Sequence, residues 1–330
     1  MRFISMQALW LAASLSVVSL PVLAEKVSME SGGANSVVGL LPQAMAPHWA
    51  EAGVDVELAL GQTLTKSLLK IGQGSLDSSV MPPPAYAALG KGKGPYAKLG
   101  EEKGAALAAN VRSLFGFAAS VYHPIVWADS GIESWEGIKG KKVYIGPPAG
   151  AANAQITALI KAASGYEEGT DYEGVKAPWA TAVQGFRDGQ YDMVVTPQSL
   201  GSQVLTELSL SKNIRILSME DGAEPPKGMG MVTAVIPEDT YSGQANNDQA
   251  VNAWQTVMMM VVNKDMADDL AYNMTKTYFD SLEKVREGND LIKGVNADQR
   301  FGAVIAPLHP GAVRYYKEQS IEIPAELLAE

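Results

Sequence analysis

The chain has 330 residues, 47% of them hydrophobic, and contains no cysteine, which excludes disulfides, thiolate nucleophiles and cysteine-ligated metals. Its 36 acidic and 26 basic residues give a formal net charge of −10. No basic cluster offsets this charge, so nucleic-acid binding is disfavoured.

The N-terminus has the composition of a secretory signal peptide. Arg2 supplies a positive charge, residues 8–20 form an apolar run, and small residues suited to signal peptidase end at Ala24. The alternative, a membrane anchor, is disfavoured because the run is shorter than the ~20 residues that a spanning helix needs. We therefore predict cleavage after Ala24. Without a lipid-attachment cysteine, the exported chain over residues 25–330 is expected in the periplasm of a Gram-negative bacterium.

The first part of the exported chain alternates strand and helix patterns. The predicted elements are strands at 26–30, 54–60 and 76–80 and helices at 37–46 and 63–71. Residues 82–84 are all proline and end the third strand, because proline cannot donate to a β-ladder. This order predicts a mostly parallel sheet with right-handed crossovers. Residues 90–104, rich in glycine and lysine, are predicted to form a mobile surface loop, with a basic docking patch as the alternative.

A second set of similar units follows. Strands are predicted at 143–145, 174–177, 191–196, 214–217, 231–236 and 251–262, and helices at 152–163, 181–188, 267–286 and 311–318. Residues 184–192 repeat the helix, glycine, aspartate and strand order of residues 69–77, so the two halves are interpreted as related lobes. Crossover hinges are expected near residues 119–125 and 231–236. The methionines at 258–260 and 266 are predicted to be buried core.

Two loops that follow predicted strands are candidates for ligand binding. Residues 31–36 (Ser-Gly-Gly-Ala-Asn-Ser) lack the spacing of a dinucleotide or phosphate loop, and they read equally as a ligand-binding loop or as a plain turn. Residues 147–153 form the matching loop of the second half. A helix N-terminus carries ~0.5 positive charge and unpaired N–H groups, which favours a carboxylate at this loop.

The remaining chemically versatile side chains form no catalytic constellation. His48, His123 and His309 lack metal-ligand spacing and are expected to be core or surface residues. Trp179 fits a pocket wall or ordinary interlobe packing, and Lys66, in the first turn of its helix, fits a ligand partner or an exposed cation. No catalytic residue, metal or cofactor is predicted.

Several segments together carry a family resemblance. They are Ala128–Ile132 with Lys139–Val143, Phe186–Asp192, Ile236–Gln244 and Pro307–Tyr316. In this order and spacing they resemble the solute receptors of TAXI-type TRAP transporters. The resemblance implies a two-lobed α/β periplasmic binding protein with mostly parallel sheets flanked by helices and a ligand cleft between the lobes. Lobe I would comprise residues 25–120 and 235–330, and lobe II residues 121–234.

The resemblance also implies a function and a pocket. The receptor would bind a small organic acid such as glutamate, glutamine or 2-oxoglutarate and deliver it to a permease driven by an ion gradient. The implied ligand-binding residues are Gly33, Ala34, Asn35, Ser36, Thr63, Ala149, Gly150, Ala151, Trp179, Pro197 and Gln198. Lys66 stands where an asparagine is common, and alanines replace hydroxyl residues at 151 and 152, which favours a carboxylate ligand with an apolar portion. A periplasmic ligand sensor and an exported enzyme on the same fold remain alternatives.

Overall fold

The protein has an α/β fold in which helices flank β-structure, as predicted. The described strands form a single mixed sheet rather than the mostly parallel sheets that were expected. The computed structural model describes residues 25–148 and 151–329, so the predicted signal peptide and the pocket residues Ala149 and Gly150 lie outside the described residues. The strands are β1 (Glu25–Glu30), β2 (Val54–Ala59), β3 (Ser78–Met81), β4 (Val111–Trp127), β5 (Lys142–Tyr144), β6 (Glu173–Val175), β7 (Met193–Gln198), β8 (Ile214–Ile216), β9 (Met231–Ile236) and β10 (Val251–Asn263). The helices are α1 (Val37–Glu51), α2 (Leu64–Gly72), α3 (Pro83–Gly90), α4 (Gly100–Ala108), α5 (Ala152–Ser164), α6 (Trp179–Arg187), α7 (Gln203–Ser211), α8 (Asp268–Glu287) and α9 (Pro310–Glu318).

The sheet is parallel at its two ends and antiparallel in the middle. The strand order is β2-β1-β3-β10-β4-β7-β5-β6, with β8 paired to β4 and β9 to β10. The predicted parallel pairings join β1 to β2 and β3 at one end, and β5 to β6 and β7 at the other. The long strands β4 and β10 pair antiparallel with every neighbour. Among the described helices, none is long and apolar enough to cross a membrane.

The buried apolar side chains divide into cores along the chain. Core A, which packs around the β1–β3 end, draws its buried members from residues 27–119 and 258–327. Core B, which combines two clusters at the β5–β7 end, draws its members from residues 121–254. The chain therefore passes between the cores within β4 and again within β10. The methionines at 258–260 are buried in core A, as predicted.

The second crossing differs in position from the expected hinge at residues 231–236. These residues form β9, which pairs with β10 over its whole length, and both of its ends pack in core B. We therefore place the second crossing in β10. The division of lobes at residues 234 and 235 stays a prediction, although the core B positions of Ala253 and Trp254 favour a boundary further along the chain.

The two crossing strands are irregular where they pass between the cores. Their register shifts between Gln255 and Val257, next to Ser120 of β4. The Thr256 hydroxyl accepts from the Ser120 N–H at 3.2 Å and donates to the Ser120 carbonyl at 3.3 Å. A register irregularity of this kind locally disrupts a ladder and bends the strand, so the sheet is most easily flexed at this level.

The prediction of a mobile loop over residues 90–104 is wrong. The segment forms a 3-10 turn at Gly94–Leu99 and the first half of α4. Tyr96 is buried, and its hydroxyl donates to the carbonyl of Thr65 at 3.0 Å. Two glutamates in the first turn of α4 suit the positive end of the helix. One buried aromatic ring thus anchors a segment whose glycine and lysine content indicated a loop.

Candidate functional site

The two sets of parallel strands end opposite each other. At the end of β3, Met81 pairs with Met259, which lies level with Gly116 of β4. At the end of β7, Gln198 pairs with Val121 of β4. Because β3 and β7 each run toward the other along β4, the loops that follow them face one another. Five residues at ~3.4 Å each separate the two levels, which makes a cleft about 17 Å across at its base.

The first wall of this cleft contains the predicted residues 33–36 and 63. Two backbone hydrogen bonds join the loops after β1 and β2. The Gly61 N–H donates to the Gly32 carbonyl at 2.8 Å, and the Gln62 N–H donates to the Ser31 carbonyl at 2.9 Å. This pairing brings the exposed residues Gly33, Ala34 and Asn35 to the same side as Thr63. The structure thus places five of the predicted residues in one group.

The loop after β1 packs unusually closely on its own helix. The N–H and hydroxyl of Ser36 both donate to the carbonyl of Gly33, at 3.1 and 2.8 Å. A Cβ added to Gly39 would lie 2.3 Å from that same carbonyl oxygen. Only glycine permits this approach at Gly39. The Ser36 hydroxyl therefore closes the turn, and Asn35 stays exposed at its tip.

Thr63 occupies the N-cap position of α2 and is exposed, and its hydroxyl makes no capping hydrogen bond. Lys66 is exposed on the first turn of the same helix. Sequence reasoning missed the group that fixes this helix, the Glu30 carboxylate at the end of β1. Glu30 accepts hydrogen bonds from Ser67 at 2.7 Å and from Lys70. Burial opposes its ionisation, but the bonds from Lys70 and Ser67 outweigh burial and lower the pKa of Glu30.

The second wall contains Ala151 and Trp179. Ala151 precedes α5 and is half-buried, whereas Trp179 begins α6 with 39% of its surface exposed. The rings of Trp179 and Tyr144 pack edge to face, with their centroids 5.8 Å apart. The Tyr144 hydroxyl donates to the Ala177 carbonyl at 2.8 Å, and the Ala177 N–H donates to Gly146 at 3.3 Å. These bonds hold the loops after β5 and β6 side by side.

Pro197 and Gln198 end β7 and are half-buried. The Gln198 side chain donates to the Thr196 hydroxyl at 3.3 Å. One residue further on, the Ser199 hydroxyl donates to the carbonyl of Leu291, a core A segment, at 3.4 Å. Among the described residues, no hydrogen bond or ion pair joins the predicted residues of the first wall to those of the second.

His123 is a buried core residue, as expected for a histidine without metal-ligand spacing. Its Nδ1 lies 2.8 Å from the Val121 carbonyl and its Nε2 lies 3.0 Å from the Tyr241 hydroxyl. A carbonyl only accepts, so Nδ1 carries the proton and Nε2 accepts from Tyr241. Burial lowers the pKa of His123 to about 4. Nowhere in residues 25–148 and 151–329 do three metal-binding side chains of His, Asp or Glu come together.

Two concavities lie away from all the predicted residues. The first, about 280 Å³, is lined by core B segments and carries Glu220 and Glu224 at its rim. The second, about 250 Å³, lies between Pro83 at the end of β3 and the loop at residues 225–231. Sequence reasoning interpreted this Pro-Pro-Lys-Gly segment only as a loop. Its single lysine, Lys227, was the available signal for a site, because it stands alone among prolines and glycines.

Comparison with known families matches residues 68–320, more than half of the chain, to the NMT1-like family, and the chain belongs to that family. Among solved structures, it is similar to the periplasmic sulfonate-binding protein SsuA of Methylobacillus flagellatus, at 12% identity and a TM-score of 0.52, with 92% of this chain and 80% of that chain covered. It also matches the aliphatic sulphonate binding protein SsuA of Escherichia coli, at 12% identity, a TM-score of 0.49 and coverages of 92% and 96%.

A TRAP periplasmic solute binding protein of Rhodobacter sphaeroides matches at 13% identity and a TM-score of 0.45, with coverages of 82% and 84%. At these identities the likeness concerns the fold. The fold is that of the two-lobed periplasmic binding proteins, which confirms the predicted fold class.

Proposed function

We propose that the chain is a periplasmic solute receptor that binds a small organic acid between two lobes and delivers it to a membrane permease. The observation that supports this most directly is the opposition of the two sets of strand ends across the base of the cleft. Loops at the carboxyl ends of parallel strands are where open α/β sheets bind ligands. Two such sets that face each other suit a ligand enclosed from both sides.

The same geometry suggests how binding would be signalled. The two cores are connected through β4 and β10, and these strands are irregular at Ser120 and Thr256. Bending there would close the loops after β3 and β7 over a ligand. A ligand that contacts both walls binds the closed form better than the open form and shifts the population toward it. The permease would then recognise the closed form.

The ligand class and the partner are the finer parts of the proposal. A carboxylate related to glutamate or 2-oxoglutarate, and an ion-gradient-driven permease of the TRAP type, follow from the resemblance of the sequence to TAXI receptors. Export by a signal peptide cleaved after Ala24 belongs to the same proposal. A periplasmic sensor that signals to a membrane receptor is the second candidate, since the same closing motion serves both.

The first test is the thermal midpoint of the protein over residues 25–330 against small carboxylates, amino acids and sugars. A ligand at ~100 times its dissociation constant stabilises the native state by ~2.7 kcal/mol and raises the midpoint by several degrees. A shift confined to acids is the expected result. Shifts produced by neutral sugars alone, or by no compound, would contradict the organic-acid receptor.

The cleft assignment is tested with Trp179→Ala. Trp179 is 39% exposed, so its loss is expected to change the free energy of unfolding little but to weaken acid binding about tenfold. Leu210→Ala is the matched control, because Leu210 is 67% exposed and lies at the far end of α7 from the cleft. Equal affinities of the two variants in calorimetry would remove Trp179 from the site.

Uptake measurements separate the possible partners. Cells or proteoliposomes that contain the permease are supplied with labelled acid and the receptor. Uptake that collapses with the sodium or proton gradient is expected. Uptake that depends on ATP hydrolysis instead would assign the receptor to another transporter class. Ligand binding without any uptake would favour the sensor.

A further inference from the structure

The cavity of about 250 Å³ at the end of β3 has walls from both cores. Pro83, Ala303 and Ile305 line the cavity from the side of core A. They are chain neighbours of Ala85 and Val304, which are buried in that core. Core B contributes Met231 and the loop before it. The complete lining is Pro83, Pro225, Pro226, Lys227, Gly228, Gly230, Met231, Ala303 and Ile305. A ligand held there would touch both lobes.

The cavity also lies directly at the crossing between the cores. The Gly230 carbonyl accepts from the Val257 N–H of β10 at 2.8 Å, beside the register shift. A Cβ on Gly230 would lie 2.8 Å from Cδ of Pro83, so the two walls already meet at one edge. The loop is further held from behind, because the Gln155 side chain of α5 donates to the Met229 carbonyl at 2.7 Å. Flexing at the crossing therefore changes the width of this cavity.

The side chains that line the cavity are apolar apart from one cation, Lys227, which is exposed to solvent. Eight of its nine residues are proline, glycine, alanine, isoleucine or methionine, and the ninth is Lys227. Within the described residues, the Lys227 ammonium has no hydrogen bond or ion pair. Prolines and glycines offer a ligand no side-chain hydrogen bonds, so the walls favour hydrocarbon and Lys227 favours one negative charge. The volume is slightly below the ~300–1,000 Å³ of typical small-molecule sites, which indicates a small ligand.

We propose that this cavity determines the specificity of the receptor for monoanionic organic acids with an apolar tail, whose acid group pairs with Lys227. This inference rests on the proposed receptor function, and it replaces the glutamate-like ligand class of that proposal with monoanionic acids. A dicarboxylate or an amino acid would place a second charge or an ammonium group against the prolines, where no polar side chain replaces its hydration. Such ligands are therefore disfavoured relative to a monocarboxylate of similar size.

Calorimetry with hexanoate, benzoate, hexanesulfonate, glutarate and glutamate tests the proposal on the protein over residues 25–330. Hexanoate and benzoate are expected to bind at least tenfold more tightly than glutarate and glutamate. Lys227→Ala is expected to weaken the binding of hexanoate and of benzoate at least tenfold. Lys227→Arg is expected to bind both acids within about threefold of the affinity of the parent protein. Ala303→Leu, which fills the cavity without changing charge, is expected to weaken the longer tail most. Lys284→Ala, which removes an exposed lysine of α8, is the matched control and is expected to leave these affinities unchanged.

The outcomes separate this inference from the receptor proposal. Tight binding of glutamate or glutarate that is insensitive to Lys227→Ala and Ala303→Leu overturns the inference and leaves the receptor intact. No heat from any acid, together with no thermal shift across the wider panel, overturns both. Comparison of hexanoate with hexanesulfonate then shows whether a carboxylate is required or any monoanionic acid group is accepted.

Discussion

Replacing His123 with glutamine removes a titrating group from the middle of β4, and we expect the variant to resist acid better than the parent protein. His123 is fully buried against Val121 and Tyr241, and it pairs in the sheet with Thr196. Burial lowers its pKa from the usual 6.5 to about 4. The folded protein therefore keeps the imidazole neutral over a range in which the unfolded chain protonates it.

The sign and size of the effect follow from this difference in proton binding. Between pH 6.5 and pH 4 the unfolded chain binds one more proton than the folded protein at this position, so acid favours unfolding. Each tenfold difference in proton affinity corresponds to about 1.4 kcal/mol. The free energy of unfolding is thus expected to fall by about 3 kcal/mol from pH 7 to pH 4 through His123 alone.

Urea unfolding, followed by tryptophan fluorescence from pH 7 to pH 4, measures this contribution as a difference between parent and variant. The other acid-sensitive groups, including His309 and Glu30, titrate in both proteins and cancel in the difference. Tyr316→Phe is the matched control, because its buried hydroxyl donates to the Leu114 carbonyl at 2.9 Å and does not contact His123. It should lower stability by about 1 kcal/mol at every pH without changing the slope.

The decisive outcome is the shape of the difference curve. We expect the advantage of the parent over His123→Gln at pH 7 to shrink steadily below pH 6.5 and to level off near pH 4. Parallel curves for the two proteins over this range would refute the reasoning, because they would mean that His123 is hydrated or charged in the folded state.

Two further changes test local packing. Gly39→Ala should lower the free energy of unfolding by about 1–3 kcal/mol, because the new methyl group would press on the carbonyl of Gly33. Gly33→Ala, which meets no atom within 4 Å, is its control and should be neutral or slightly stabilising in urea unfolding; equal losses would contradict the contact. Tyr96→Phe should cost about 1 kcal/mol through the lost bond to Thr65 and increase amide exchange in the 3-10 turn Gly94–Leu99 that contains it. Unchanged exchange would show that the tyrosine hydroxyl does not anchor this segment.

Local pattern in the sequence was sufficient for the fold class and for the strongly periodic elements, but it did not predict β4, α3, α4 or α7. Hydrophobic periodicity located β9 to the residue and the start of α1, since alternation and helical spacing are properties of neighbouring residues. It did not locate the end of α1, which continues through Pro47 to Glu51 while Trp49 is buried and donates to the carbonyl of Met274 at 3.0 Å. Trp49 continues the four-residue spacing of Leu41 and Met45, but a proline such as Pro47 ordinarily ends a helix, so only the contact with α8 decides that α1 continues.

Part of the candidate site was likewise recognisable from the sequence, and part was not. The loops at residues 31–36 and 147–153 were recognisable from the sequence because a strand, a small-residue loop and a helix are consecutive there. The place of the second crossing, the burial of Tyr96 and the meeting of Pro83 with the loop of Lys227 were not. Each depends on segments that are distant in the chain and adjacent only after β4 and β10 pair. The sequence by itself determined the strands and helices with strong hydrophobic periodicity. The tertiary structure decided the conformation of residues 90–104, which a buried ring holds in place, and which of the loops share a cavity.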